Sequence, residues 1–399
     1  MNGVAQMTQA VNKAAVIGAG SMGAGIAAHF ANAGVPVVLL DMAAPDGARS
    51  AIAAGAIERQ LATGGFMHPD CARLVTAGNV EDDFHLIADA DWIVEAIIED
   101  VEAKRQLYRR IEAQRKDGAI VSSNTSTIPL ARLTAGLGER FAGDFVISHF
   151  FNPPRQMRLL ELVTAAGTKP QTIARARRTG DAVLGKTIID CRDTPGFIAN
   201  RIGNYWMSVA ALEAMAFGLT VEEADAVMAR PFGFPRTGIF GLFDLVGINL
   251  VPLVWRSLLD TLPPEDDHHR FDLTGNAFIG GMLERGLTGR KGKGGFYRQT
   301  RNGATRVRET IDFASGAYRP EQPAVLPALQ EAGTDLRRLC EHDSAAGRYA
   351  WQVLSRLIRY AAAVAPEIAD DVAAIDLAMQ LGYNWAEGPF RIADRVGAG

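Results

Sequence analysis

Ala14-Ala15-Val16-Ile17-Gly18-Ala19-Gly20-Ser21-Met22-Gly23 is the stretch that decides the fold. Its first four residues read as a short buried strand, and a glycine-rich turn follows without a break. A helical stretch from Ala24 to Ala33 stops at Gly34, a residue that commonly ends helices. Val37-Val38-Leu39-Leu40 then reads as a second strand, with Asp41 at its carboxyl end. Gly18, Gly20 and Gly23 permit a tight turn and close backbone approach, and the helix amino terminus suits a diphosphate. Glycine-rich turns also serve purely structural ends, so the turn alone is weak evidence. Strand, turn, helix, strand and an acid about 20 residues on together make a dinucleotide-binding unit. Asp41 would accept hydrogen bonds from adenosine ribose hydroxyls and repel a 2′-phosphate, which favours NAD over NADP. FAD remains an alternative on this unit alone.

Working outward, helix and strand patterns keep alternating. Ala51 to Thr63 reads as a helix, Trp92 to Ala96 as a strand, Val101 to Gln114 as an amphipathic helix and Ala119 to Ser122 as a strand. This predicts an α/β, doubly wound sheet, which binds ligands at its strand carboxyl ends. Glu99 follows one strand, Asn124, Thr125 and Ser126 another, and His149 and Asn152 a third. His149 comes after the apolar run 145–148, and Glu161 sits inside Leu159-Leu160-Glu161-Leu162-Val163. An ionisable pair inside two apolar strands is costly unless its members satisfy each other. A carboxylate beside an imidazole also raises its basicity and fixes its tautomer, as a general base requires. For an isolated pair, a core histidine and an unrelated edge-strand glutamate would be the better reading. The convergence of polar groups on one sheet edge favours a site.

Composition bounds the rest. A chain of 399 residues suggests two or three domains. Hydrophobic content of 48% with 22% charged residues is ordinary for a globular protein. A net charge of −4 with scattered basic residues gives no reason to expect nucleic-acid binding. Cys71, Cys191 and Cys340 are far apart and odd in number, so neither a disulfide framework nor a metal site is expected. No signal peptide is visible at the amino terminus, and no apolar run approaches the ~20 residues of a membrane span. The expected location is cytoplasmic, without membrane insertion.

Several stretches resemble the L-3-hydroxyacyl-CoA dehydrogenase family. They are the run 18–27, Val94-Glu95-Ala96-Ile97-Ile98-Glu99-Asp100, Ser123-Asn124-Thr125-Ser126-Thr127-Ile128, His149-Phe150-Phe151-Asn152-Pro153 and Pro195-Gly196-Phe197-Ile198-Ala199-Asn200-Arg201. They occur in the family's order and cover the chain from Lys13 to Tyr297. The resemblance implies a Rossmann-type NAD domain followed by all-α domains, with 3-hydroxyacyl-CoA oxidised to 3-ketoacyl-CoA; a dehydrogenase of a free hydroxy acid on the same fold and a noncatalytic nucleotide-binding scaffold subunit are the alternatives. It implies His149 as the general base, Glu161 as its orienting partner, Ser126 near the reacting oxygen and nicotinamide, and Asn200 as a hydrogen-bond partner of the substrate. Substrate-binding positions are then Ser126, His149 and Asn200. Cofactor-binding positions are Gly18, Gly20, Met22, Gly23, Asp41, Ile98, Glu99, Lys104, Ser126 and Asn152.

Plainer readings stand beside these. Ser126 could cap a helix starting near Ile128, and Asn200 could start or cap the helix 201–217. Lys104 early in an exposed helix is by default a solvated lysine, and Glu99 could be a solvated strand-end acid. Arg155 and Arg158 could meet CoA phosphates, although surface arginine is the better reading. His268 and His269 lie in a polar loop without metal-ligand spacing. Arg290-Lys291-Gly292-Lys293-Gly294-Gly295 reads as a flexible connection in preference to an anion nest.

The distal third carries an internal echo. Asp376, Met379, Gly388, Phe390, Asp394 and Gly397 repeat the order of Asp225, Met228, Gly238, Phe240, Asp244 and Gly247, with the same intervals of 2, 4 and 3 residues from the glycine onward, and the run 349–363 resembles 202–216. The expected organisation is a flexible tail over 1–12, an NAD domain over 13–192, a helical substrate and dimerisation domain over 193–298, a linker over 299–325 and a degenerate helical copy over 326–399. Such duplication resembles the multifunctional fatty-acid-oxidation proteins. The chain is therefore expected to be the dehydrogenase portion of one, with an acyl-CoA substrate, an enoyl-CoA hydratase module or a thiolase as partner, and a homodimer as a candidate assembly.

Overall fold

Ala14–Ile17 (β1) is buried along its whole length, as befits the centre of a parallel sheet covered on both faces. The computed structural model describes residues 10–302 and 305–397, and the chain divides into two compact units, 1–197 and 198–399. In the first unit β1 is joined by β2 (Val37–Asp41), β3 (Val75–Asn79), β4 (Trp92–Glu95), β5 (Ile120–Ser123), β6 (Phe145–Phe150), β7 (Leu159–Val163) and β8 (Thr187–Cys191). Their order is β3-β2-β1-β4-β5-β6-β7-β8. Neighbours run parallel except β6 and β7, which are antiparallel. The order reverses between β1 and β4, so the ligand-binding crevice of such a sheet lies beyond their carboxyl ends.

The helices of this unit are α1 (Ser21–Asn32), α2 (Ala51–Ala62), α3 (Val101–Gln114), α4 (Leu130–Thr134), α5 (Glu139–Gly143) and α6 (Pro170–Arg178). Helix α1 begins inside the glycine motif, three residues before the expected Ala24, because the turn itself supplies the first helical residues. Its buried residues are mostly small (Gly23, Ala24, Gly25, Ala27, Ala28 and Ala31), with Ile26 and Phe30 as the large apolar side chains among them. Of the tail expected over 1–12, residues 1–9 lie outside the described residues. Val11 is buried, and the Asn12 amide donates to Asp91 at 2.9 Å, so the chain is already anchored there.

The second unit contains α7 (Ala199–Ala216), α8 (Val221–Met228), α9 (Phe240–Val246), α10 (Arg256–Leu259) and α11 (Ala277–Glu284), then α12 (Pro327–Ala332), α13 (Leu336–Cys340), α14 (Ala345–Ile368), α15 (Val372–Tyr383) and α16 (Pro389–Val396). The sequence echo marks one structural device used twice. Asp225 on α8 accepts the amides of Ile239, Phe240 and Gly241 and so caps α9. Asp376 on α15 accepts the amides of Phe390 and Arg391 and caps α16 in the same way. A Cβ at Gly238 would stand 2.4 Å from the Asp225 Cβ, and one at Gly388 would stand 2.2 Å from the Asp376 Cα. The repeated glycines are therefore what lets each helix end approach its aspartate. The two copies share one compact unit, and the Tyr349 hydroxyl on α14 donates to the Ala210 carbonyl on α7 at 3.0 Å.

The stretch 299–325 is not a bare linker. It carries most of an antiparallel sheet of β9 (Tyr297–Asn302), β10 (Thr305–Ile311) and β11 (Tyr318–Pro320). Its polar composition reflects exposed strands, and Glu222 on α8 fastens them to the helices. That carboxylate accepts from both terminal nitrogens of Arg319 (2.7 and 2.9 Å), the Thr310 hydroxyl (2.7 Å) and the Gln322 amide (3.0 Å). Burial works against its charge, but the Arg319, Gln322 and Thr310 donors prevail and hold its pKa at about 2 against an ordinary 4.5. Because the folded value is depressed, this stabilisation is present above pH 4.5 and is lost as pH falls toward 2. Arg319→Met should cost about 1–3 kcal/mol at neutral pH and flatten the acid limb of a melting-temperature profile. Parallel acid profiles for wild type and variant would contradict it.

Candidate active site

Two of the three motif glycines are required by the fold itself. Gly18 has a φ of +105°, and a Cβ there would lie 2.4 Å from the Ala96 carbonyl oxygen. A Cβ at Gly23 would lie 1.8 Å from the Gly18 oxygen. Gly20 differs. Its backbone is extended (φ −65°, ψ −175°), and a Cβ there would meet no atom within 4 Å. It caps α1 without a side chain, so the first amides of the helix are left for a ligand. Space that the protein does not use, before a helix amino terminus, fits a diphosphate.

Asp41 ends β2, and its carboxylate accepts the amides of Ala19 and Met42. These bonds hold the acid beside the glycine turn, where a ribose would lie. Met42 and Ile98 are 69% and 72% exposed, large apolar side chains at the carboxyl edges of β2 and β4. Met22 is half-buried against the core. This set fits a nicotinamide adenine dinucleotide.

Lys104 is not solvated. It is 1% exposed, bonded to Glu95 at 2.6 Å and to Glu99 at 3.1 Å. Burial disfavours its charge, but the Glu95 and Glu99 carboxylates outweigh it and raise the Lys104 pKa. Glu95 also accepts from the Tyr108 and Ser123 hydroxyls at 2.6 and 2.7 Å. Sequence reasoning missed Glu95 and Tyr108, although an acid in the apolar strand 92–95 was the same signal that singled out Glu161. Glu99 accepts from the Thr125 hydroxyl and from the Ser126 amide (3.1 Å). Its pKa is pushed up by burial and pulled further down by Lys104, Thr125 and Ser126, ending below the ordinary value. The network thus ties the end of β4 to the loop after β5 and holds Ser126 half-buried at the sheet edge. Ser126 does not cap a helix: α4 starts at Leu130, and Asp193 receives the amides of Leu130 and Ala131.

His149 lies within β6 rather than after it, and the reversal of β7 sets Glu161 directly opposite it in register. His149 Nδ1 stands 2.7 Å from a Glu161 carboxylate oxygen, with the two residues 5% and 0% exposed. A carboxylate there makes Nδ1 the protonated nitrogen and leaves Nε2 as the proton acceptor. The imidazole packs against Phe151 (4.5 Å between ring centroids) and Phe197 (5.6 Å). Phe197 takes a left-handed φ of 50° after Gly196, a strained backbone that holds its ring there. Asn124 accepts the Phe150 amide at 2.9 Å and so pins the end of β6, while Asn152 is exposed in the following turn. Arg155 bonds the Gly64 carbonyl, and Arg158 is exposed. Asn200 is the second residue of α7 and belongs to the second unit, and the helix starts before it, so it is no cap.

Residues 13–194 match the NAD binding domain of 3-hydroxyacyl-CoA dehydrogenase, and residues 196–299 match its C-terminal domain. The chain is 37% identical over 391 residues to a Rickettsia prowazekii protein named as a fatty acid oxidation complex trifunctional enzyme, covering 97% of this chain and 53% of that one. It is 40% identical over 301 residues to a Deinococcus radiodurans protein named as a 3-hydroxyacyl-CoA dehydrogenase, covering 75% and 86%. The chain spans about half the length of the Rickettsia relative. Among solved structures, FadB2 of M. tuberculosis superposes with a TM-score of 0.62 at 28% identity, over 73% of this chain and 100% of that one. The 3-hydroxybutyryl-CoA dehydrogenase of Escherichia coli shares the fold over 98% of this chain and 92% of its own, with a TM-score of 0.71 at 23% identity. With both of its domains matched in order over the residues that build the glycine turn and the His149–Glu161 pair, the chain belongs to the 3-hydroxyacyl-CoA dehydrogenase family.

Proposed function

We propose that the chain oxidises (S)-3-hydroxyacyl-CoA to 3-ketoacyl-CoA with NAD, as a step of fatty acid β-oxidation. The observation that carries this reading is the buried His149–Glu161 pair on the same sheet edge as the glycine turn. His149 Nε2 takes the proton of the C3 hydroxyl, and Glu161 steadies the imidazolium that results. Bound NAD supplies the acceptor for the hydride leaving C3. Ser126 and Asn200 act as neutral hydrogen-bond partners of the substrate oxygen, suited both to the hydroxyl and to the carbonyl that replaces it. Ile98, Glu99, Lys104 and Asn152 serve the coenzyme, with Lys104 and Glu99 acting through the placement of the loop at Ser126.

The test is NADH-dependent reduction of acetoacetyl-CoA by the purified chain, beside free acetoacetate. Turnover of the thioester alone is expected. Turnover of the free acid instead would point to a dehydrogenase of CoA-free hydroxy acids. No turnover of either by a chain that binds NADH would reject the hydride-transfer reading. Asp41→Ala should lower the preference for NADH over NADPH by about tenfold, roughly 1.4 kcal/mol, measured as the ratio of kcat/KM values. The trifunctional name of the Rickettsia relative supports a reading in which the chain works beside further activities of fatty acid oxidation, such as an enoyl-CoA hydratase module or a thiolase, and a cytoplasmic location belongs to the same proposal. A homodimer is part of the same reading.

A further inference from the structure

A depression of about 1020 Å3 opens in the second unit, bounded by the α8–α9 connection, the loop 289–295 and strands β9 and β10. Volumes of this order hold a nucleotide-sized ligand. The loop is pinned by backbone hydrogen bonds, which occupy amides that an anion nest would leave free. The Gly289, Arg290 and Gly292 amides donate to the carbonyls of Gly294, Asp244 and Gly289 at 2.8–2.9 Å. A Cβ at Gly295 would stand 1.8 Å from an Asp244 carboxylate oxygen, so the loop is clamped on that acid.

The acids of the depression are taken up by the protein. Asp225 receives three amides and the Tyr297 hydroxyl (2.8 Å), and Asp244 receives the amides of Phe296 and Tyr297 at 2.8 Å. Glu222 is engaged by Arg319, and Glu321 pairs with Arg308 at 3.3 Å. Among the lining cations, Arg298 is bound to Glu309, and Arg308 also lies over the Tyr297 ring. Arg236, Arg290 and Lys293 are different. All are exposed, and none forms an ion pair among the described residues. Cations gathered around one concavity repel each other and raise the local concentration of anions. Guanidinium forks and ammonium groups are the side chains that bind phosphoryl oxygens.

We propose that this depression is an anion site, separate from the hydride-transfer site, for a small molecule with two phosphoryl groups held by Arg236, Arg290 and Lys293. The phosphoryl groups could belong to the adenosine bisphosphate end of a coenzyme thioester or to a free diphosphate. The probes are adenosine 3′,5′-bisphosphate and inorganic pyrophosphate, each titrated calorimetrically into the full chain saturated with NADH. Saturable binding that weakens with added salt is expected. Preference for the bisphosphate assigns the coenzyme source, and equal binding assigns recognition of the phosphoryl groups alone. Arg290→Glu with Lys293→Glu should weaken binding by about 100-fold, and Arg236→Gln by about tenfold, the former equal to roughly 2.7 kcal/mol. NADH affinity should stay unchanged, since all three side chains are exposed and belong to the second unit. Absence of saturable binding in the wild type, or unchanged affinity in either variant, overturns the proposal.

Discussion

His149→Gln is expected to lower kcat by about 10²–10⁴ while leaving NADH affinity within twofold of wild type, the range general acid–base catalysis usually contributes. Glutamine keeps much of the side-chain size and can still donate to Glu161, so the buried carboxylate keeps a partner. What it lacks is a nitrogen that takes a proton. Nδ1 of His149 is already committed to Glu161 at 2.7 Å, which leaves Nε2 as the ring nitrogen able to take a proton. The ring also fills the space between Phe151 and Phe197, so a larger deletion would mix catalytic and packing losses. Rapid-mixing kinetics with acetoacetyl-CoA, beside an NADH fluorescence titration, separates the two. Equal losses of turnover and coenzyme affinity would assign His149 a structural role instead.

Gly20→Ser is expected to act in the opposite sense, sparing the fold and striking the coenzyme. Position 20 is the amino-terminal cap of α1, has an ordinary extended backbone and faces open space. Serine caps helices better than glycine, so the melting temperature should hold or rise, a change of a few tenths of a kcal/mol. The added side chain would occupy the place fitted to the diphosphate, lowering NADH affinity by about 100-fold, or roughly 2.7 kcal/mol. Gly23 gives the contrast, because a Cβ there collides with the Gly18 carbonyl oxygen and would disturb the turn itself. Unaltered NADH affinity in a stable Gly20→Ser protein would place the coenzyme elsewhere.

What could be read from sequence follows from how local each signal is. Helix α3 was readable to the residue because Asp100 caps it and its apolar face repeats along the helix. Strands β3 and β8 escaped notice, since Val75-Thr76-Ala77-Gly78-Asn79 and Thr187-Ile188-Ile189-Asp190-Cys191 lack a continuous apolar run. The sheet β9–β11 reads as a linker because its strands are polar and its tie to the helices, Glu222 with Arg319, joins residues far apart in the chain. Burial of Lys104 likewise depends on two acids brought to it by strand β4 and its following turn. The two apolar strands make a His149–Glu161 pair conceivable, and the family resemblance is what makes the two residues partners. Their direct opposition needed one antiparallel pair at β6 and β7 within an otherwise parallel sheet, a reversal no local pattern announces.

The central claim is that Glu161 works through His149 and has no separate catalytic role. A double-mutant cycle on turnover addresses it most directly, using His149→Gln, Glu161→Gln and the two combined. Glu161→Gln alone should lower kcat by at least tenfold, because a neutral amide neither fixes the tautomer nor stabilises the imidazolium. In the His149→Gln background the same substitution should change kcat by less than about twofold, as groups acting as one unit are strongly non-additive. Losses that simply multiply in the double variant would contradict the account.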